Sequence, residues 1–262
     1  MMKINFKTFG VLIVFGIFVA FSVFYAKKYL DYKKVMKSKI NIVLIGAAGS
    51  GKGTQGDILK EKYNLLKMSA GDVLREYRSN PKNKHATIVN EYLNKGELLP
   101  IDLTNAIIED YLNQNIGKYN GVIFDGYPRH ELQAKFLDEY LKKTNQILDA
   151  VIYVDMKPED LLARLQNRFS CAKCGEIYNK VAKPTVVAGV CDKCGHTHFA
   201  IREDDSDINA INRRFEIFHQ ETSKVLESYT QRGLVHRFDA NQDVVILASK
   251  ITEKLDEIIA KK

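Results

Sequence analysis

An α/β fold, with a parallel sheet covered by helices on both faces, is predicted by three features of the sequence. Short β-branched runs bounded by glycine alternate with helical stretches from residue 40 onward. The first of these runs passes directly into a glycine-rich turn and then a helix. The alternation is broken in one region only, residues 170–205, which reads as an insertion.

The N-terminal segment precedes this pattern. Residues 9–26, "FGVLIVFGIFVAFSVFYA", form an apolar run. As a helix rising about 1.5 Å per residue it spans roughly 27 Å, close to a bilayer core of about 30 Å. Two lysines precede the run and six follow it by Lys39. The positive-inside rule then predicts a membrane anchor with the rest of the chain on the cytoplasmic side. A cleaved signal peptide, with Ala20-Phe21-Ser22 as a small-x-small site, is the competing reading; the length of the run and the lysines after it argue against it. A buried core helix fits less well, because the run is apolar all round. The formal net charge of +7 belongs to this region. Residues 1–39 hold eight lysines against Asp31 alone, so the remainder is balanced. A neutral folded part without a basic aromatic stripe argues against nucleic-acid binding.

From residue 40, "INIVLIG" has the profile of a buried strand. Residues 54–63 read as the helix after the turn. Further strands are expected at 121–126, 149–156 and 233–240, with helices at 102–112 and 158–168. The chain closes on a helix in which Val244, Leu247, Ile251, Leu255 and Ile258 recur at helical spacing.

The turn itself reads "GAAGSGKGTQ", residues 46–55. Gly46, Gly51 and Lys52 fit a phosphate-cradling P-loop, but Gly53 stands where a hydroxyl residue is usual and Thr54 follows one place late. Strand, glycine-rich loop and helix form the context in which backbone N–H groups, the helix N-terminus and a lysine converge on one phosphate.

Read with "SAGDVLR" (69–75), "DGYPRHELQ" (125–133) and "REDD" (202–205), the loop resembles the ordered motif set of adenylate kinases over residues 40–262. In that family Lys-Gly-Thr is the usual sequence, so Gly53 is expected. The resemblance implies a P-loop nucleoside monophosphate kinase fold with a five-stranded parallel sheet, a helical AMP-side flap at about 69–99 and a zinc lid at about 169–205. It implies reversible phosphoryl transfer from Mg-ATP to AMP, giving two ADP, by a monomer. Magnesium would take most of its ligands from phosphate and water.

By the same resemblance, Lys52, Arg75, Arg129, Arg168, Arg202 and Arg213 bind phosphate, and Asp125 lies near the magnesium shell. The ATP site comprises Gly49, Ser50, Gly51, Lys52, Gly53 and Thr54, with Arg164 on the adenine and Arg168, Ile177, Tyr178 and Gln242 around it. The AMP site comprises Ala70, Arg75, Glu97, Leu98, Leu99, Gly126, Tyr127, Pro128, Arg129 and Gln133, with Arg202 and Arg213 reaching its phosphate. Asp204 and Asp205 fall where the family ties its lid to the core. Planar guanidinium groups suit this task, because each can hold phosphate oxygens through paired hydrogen bonds. No general base is needed, since the acceptor is already an anionic oxygen; His130, His196, His198, His219 and His236 are therefore read as surface or packing residues.

Two departures bear on the acceptor and the loop. Ala48 replaces a usual proline. Ala70 replaces a usual threonine near the AMP base and resembles uridylate–cytidylate kinases, the alternative reading. Gln133, whose amide can hydrogen-bond the adenine edge, weighs the other way.

"CAKC" (171–174) and "CDKC" (191–194) hold the only four cysteines, Cys171, Cys174, Cys191 and Cys194. Two Cys-x2-Cys pairs at this separation read as a closed, structural zinc site. Adenylate kinases with a long lid carry such sites, whereas short-lid uridylate–cytidylate enzymes do not. A tethered GTPase, suggested by "NKGE" (94–97), lacks the final Asp and the hydroxyl beside Lys52. A zinc-ribbon nucleic-acid binder is the non-enzyme alternative.

Overall fold

The computed structural model describes residues 39–80, 82–83, 85–201, 205 and 207–262. The elements run β1 (Ile42–Ile45), α1 (Lys52–Tyr63), β2 (Leu66–Ser69), α2 (Ala70–Ser79), α3 (Ala86–Lys95), α4 (Ile101–Asn115), β3 (Val122–Asp125), α5 (Glu131–Lys143), β4 (Ala150–Asp155) and α6 (Pro158–Gln166). After these come β5 (Arg168–Cys171), β6 (Ile177–Asn179), β7 (Phe199–Ala200), α7 (Ile208–Ile217), α8 (Ser223–Gln231), β8 (Val235–Asp239) and α9 (Val244–Ala260).

Five strands form one sheet in the order β2-β3-β1-β4-β8, and every pairing is parallel. Successive residues of β1 serve opposite faces, as the strand period requires. Val43 and Ile45 join a core with Phe124 of β3 and with Val73, Leu137 and Val225 from α2, α5 and α8. Ile42 and Leu44 join the other, with Leu59, Leu161, Leu247 and Ile251 from α1, α6 and α9. All four β1 residues are buried, which explains a continuous apolar run rather than an alternating one. The prediction of a doubly covered parallel sheet therefore holds.

Three local differences have physical reasons. The fifth strand, β2, is "LKMS", with Lys67 and no β-branched residue, so the sequence pattern does not announce it. Helix α1 begins at Lys52, drawing the P-loop lysine into its first turn. The helix expected over 158–168 ends at Gln166, and Arg168 instead opens β5, the central strand of a small antiparallel sheet ordered β6-β5-β7.

The expected anchor at 9–26 lies outside the described residues. Among the described residues, no helix is long and apolar enough to cross a membrane. All the large-sheet strands start at one edge, where the chain enters at Lys39, and end at the other, where the glycine-rich loop lies.

Candidate active site

At that C-terminal edge, the backbone of the 46–51 turn is shaped for glycine. A Cβ on Gly46 would lie 2.6 Å from the Val154 carbonyl oxygen, which fixes a close approach of loop to β4. Gly51 adopts φ 91° as the residue capping α1. The α1 N-terminus has no side-chain cap and no acidic residue in its first turn. Its amides and the positive end of its dipole therefore remain available to an anion.

A cleft extends from this loop. It is lined by the predicted residues Gly49, Ser50, Gly51, Lys52, Gly53, Thr54, Arg75, Asp125, Gly126, Arg129, Arg164, Arg168, Ile177, Tyr178 and Gln242. Residues from β3, α2, α6, the small sheet and the segment after β8 thus meet the P-loop in one space.

Its field is strongly positive. Lys52 folds back to donate to the Ala47 carbonyl oxygen at 3.2 Å. Burial pushes its ammonium down to about 8, and the guanidinium groups of Arg129, Arg214 and Arg168 push the same way, against the opposing carboxylate of Asp125. Arg129 is aimed by two local bonds: its Nε donates to Gly126 O at 2.9 Å, and its backbone N donates to Gln133 Oε1 at 2.8 Å. Arg164 donates from Nη2 to Ala240 O at 2.9 Å, which fixes its guanidinium beside Gln242. Arg75 pairs with Asp72.

Asp205 organises the other side. Its carboxylate takes two bonds of 2.6 Å from Arg168 and one of 2.9 Å from Arg214. The Asp205 side chain is fully buried, and the two arginine side chains are 15% and 14% exposed. This is a paired, hydrogen-bonded buried cluster, the only form in which such charges are tolerated.

Here one expectation is corrected. Arg213 is exposed and donates to Glu216 at 3.1 Å, whereas its neighbour Arg214 lines the cleft. Successive helical residues point about 100° apart, so only one of two adjacent arginines can face inward. Arg214 shares its face with Ala210, Ile211 and Ile217, all buried. That periodicity was the available signal for it.

Several AMP-side residues lie off the cleft wall. Ala70 is the first residue of α2 and belongs to the core, as does Leu99. Glu97 and Leu98 are half-buried after α3. Tyr127 is buried, its hydroxyl donating to Asn105 Oδ1 at 2.7 Å. Pro128 lines a smaller adjoining pocket with Arg129 and Arg214. Gln133 is buried, and its Oε1 is occupied by the Arg129 amide. Arg202 and Asp204 lie outside the described residues. Sequence reasoning passed over Ser69, Gly71 and Asp72, which line the cleft beside Arg75. No histidine lines the cleft among the described residues, and His130 instead caps α5 by accepting from Leu132 N.

In the small sheet the four thiols cluster within 4.8 Å of one another. Cys171 and Cys194 Sγ are 3.6 Å apart, as are Cys174 and Cys191. A tetrahedron with Zn–S bonds of about 2.3 Å has edges of about 3.8 Å, so the donor set fits zinc closely. The two turns are alike: Gly175 N donates to Cys171 O, and Gly195 N to Cys191 O. Burial works against ionising Cys191, but the Tyr178 hydroxyl and the amides of Cys194 and Lys193 outweigh it and draw that thiol down. At Cys174 the Glu176 amide is instead outweighed by burial and the neighbouring thiols, which push it up. The cluster shares its charge unevenly, with one thiolate favoured at Cys191. A thiolate is the form a metal requires.

A parallel sheet in this order, a P-loop after β1 and a small cysteine-bearing antiparallel sheet beside the cleft define a nucleoside monophosphate kinase fold. The adenylate kinase family model matches residues 44–234. Adenylate kinase of Lactobacillus delbrueckii subsp. bulgaricus is 37% identical over 222 residues, covering 85% of this chain and 99% of its own. That of Streptococcus thermophilus is 37% identical over 205 residues, covering 78% and 93%, and that of Lactococcus lactis 34% over 220 residues, covering 84% and 100%. The chain belongs to the adenylate kinase family.

Proposed function

We propose that this protein transfers the γ-phosphoryl group of Mg-ATP reversibly to AMP, giving two ADP. The observation that carries the reading is the single cleft in which the P-loop and arginines from separate elements converge. Two polyphosphates laid end to end bring their charge together at the point of transfer, and catalysis of this kind is mostly positioning plus field. Lys52 and the α1 amides hold the ATP phosphates, and Arg164 and Gln242 border its base. Arg75 and Arg129 hold the AMP phosphate. Arg168 and Arg214 cover the transferring group and exchange part of their bonding to Asp205 for phosphate oxygens.

Magnesium fits this arrangement. Asp125 is 8% exposed at the end of β3, and a Cβ on Gly53 would lie 3.6 Å from its Oδ2, so the missing hydroxyl leaves room beside a hard oxygen donor. Asp125 would hold the ion, which would supply positive charge to offset that of the phosphates. The small sheet with its thiols acts as a zinc-stapled lid over 169–205, and residues 69–99 as the opposing flap. Closure of both excludes water that would otherwise hydrolyse ATP.

One observation favours AMP over UMP. Gln133 Nε2 has no hydrogen-bond partner among the described residues, while its Oε1 is held by Arg129. A donor fixed in this way matches the N1 acceptor of adenine and opposes the N–H at the same edge of guanine or uracil. In a coupled assay with Mg-ATP, AMP is expected to give ADP at least about a hundredfold more efficiently than UMP or GMP, with CMP in between. Equal rates with UMP would move the assignment to the uridylate–cytidylate class, and no ADP with any acceptor would end it.

Zinc makes its own prediction. The purified chain is expected to carry one zinc ion per molecule. Stripping it with a chelator should leave the far-ultraviolet circular dichroism of the large sheet and its helices in place while raising the KM for ATP about tenfold or more. Zinc readdition should restore it.

A further inference from the structure

The edge of the sheet opposite the cleft carries a feature that nucleotide chemistry does not use. The strands start there, and the chain enters there at Lys39. Residues 39–41 are bound on all sides: Ile40 N donates to Asn120 O at 2.9 Å, Asn41 Nδ2 to Gln146 Oε1 at 3.1 Å and to Ile147 O at 3.0 Å, and Lys262 Nζ to Lys39 O at 2.7 Å. Within four residues of those contacts stand Lys118, Lys142, Lys143 and Lys261. These four and Lys39 are exposed and make no ion pair among the described residues. Most carboxylates nearby are matched elsewhere, Asp149 by Lys262, Asp256 by Lys62, Asp138 by Arg232 and Glu257 by Lys254. Glu139, one turn before Lys142 and Lys143, is the exposed acid left on this face to offset part of their charge. Ile147, whose carbonyl accepts from Asn41, is 65% exposed.

We propose that this face rests on an anionic lipid surface and turns the nucleotide cleft away from the membrane. Charge complementarity and the path of the chain select that occupant. The 38 residues preceding Lys39 contain the apolar run 9–26 and five further lysines after it, at 27, 28, 33, 34 and 37. On the reading of 9–26 as a membrane anchor, a chain entering the bilayer from this edge would bring the edge within a short linker of the headgroups. Juxtamembrane lysines are attracted to anionic headgroups, and the attraction fades within a Debye length, about 8 Å at physiological salt. Five exposed lysines without an ion pair among the described residues, set against Glu139, therefore continue on the folded domain the basic segment that the sequence places just before it. With Gly46 to Thr54 at the far ends of the strands, nucleotides enter and leave from the side facing solvent.

The test uses the full chain inserted into vesicles, with brief lysine acetylation read by mass spectrometry. In vesicles containing about 30% phosphatidylserine, acetylation of Lys118, Lys142, Lys143 and Lys261 is expected to fall about fivefold relative to phosphatidylcholine vesicles. Lys180 and Lys193, in the small sheet's loops, should not change. Raising salt to about 0.5 M should abolish the difference. The triple variant Lys118→Glu/Lys142→Glu/Lys143→Glu should lose protection at Lys261 while keeping its rate of ADP formation. Equal acetylation in both vesicle types would overturn the proposal. So would equal protection in detergent, which would assign the face to the chain's own N-terminal segment or a second copy. A chain that fails to enter vesicles would overturn it too.

Discussion

Replacing Lys52 with methionine is expected to lower kcat/KM for ADP formation by about a thousandfold or more and to raise the melting temperature of the nucleotide-free protein. Both effects come from one fact. The cleft gathers Lys52, Arg129, Arg168 and Arg214 with few carboxylates to offset them, and burial with this repulsion brings the lysine down to about 8. Loss of one fixed donor to a charge-bearing transition state costs roughly 2.7–4 kcal/mol, which is a hundredfold to about a thousandfold in rate. Lys52 also lies at the start of α1, so its loss weakens ground-state phosphate binding as well. The sign of the stability effect follows from linkage. A lysine whose folded value is lowered opposes folding fully below pH 8, and the opposition fades as pH rises from about 8 towards the unfolded value of 10.5. Methionine removes that opposition at neutral pH. Phosphate has the reverse influence and restores the proton. Calorimetry of Mg-ATP binding at pH 8.5 in two buffers of different ionisation enthalpy should therefore show proton uptake in the wild type and none in Lys52→Met. Unchanged turnover in the variant, or no uptake in the wild type, would show that Lys52 does not face phosphate.

The second large effect is expected at Asp205. Asp205→Asn keeps the shape of the side chain and removes the charge that holds Arg168 and Arg214 together. Breaking a buried ion cluster by removing one partner costs about 3–5 kcal/mol. At roughly 2–4 °C per kcal/mol for a domain of this size, the nucleotide-free variant should melt about 6–20 °C lower. Mg-ATP together with AMP should close much of that gap, because phosphate oxygens then occupy the two guanidinium groups. A deficit that nucleotides leave untouched would mean that Asp205 is only a packing residue and that the two arginines do not exchange partners.

Much of this architecture was legible because burial leaves a strong trace in the sequence. β1, β3 and β4 lie in the interior of the sheet, and their β-branched runs stand out; β8, at one edge, is still marked by "LVHRF". The opposite edge strand β2 is four residues with a lysine in the second place, and nothing in its composition separates it from a loop. The thiol cluster was legible because metal geometry constrains spacing tightly, and two Cys-x2-Cys pairs have few other uses. Arg213 and Arg214 show the opposite case. Motif matching locates a helix with arginines but does not give its rotation; the rotation is set by packing of Ala210, Ile211 and Ile217, whose spacing selects Arg214. Asp205 was read as a lid contact, but its grip on two cleft arginines depends on a fold-back between β5 and α7 that has no local signature. Gln133 was expected to face a base; that its oxygen also holds the Arg129 amide follows only from the turn at 126–129.

The most direct test of the central claim, that one positive cleft holds two nucleotides end to end for direct transfer, follows labelled phosphate. With ATP labelled at the γ position, the full chain and AMP should place all transferred label on the β-phosphate of the ADP formed from AMP. No labelled protein should accumulate, and little inorganic phosphate should form without AMP. In Lys52→Met/Arg129→Met that transfer should fall below about 1% of the wild-type rate. Label released to water at the same rate with or without AMP, or transfer undiminished in the double variant, would contradict the account.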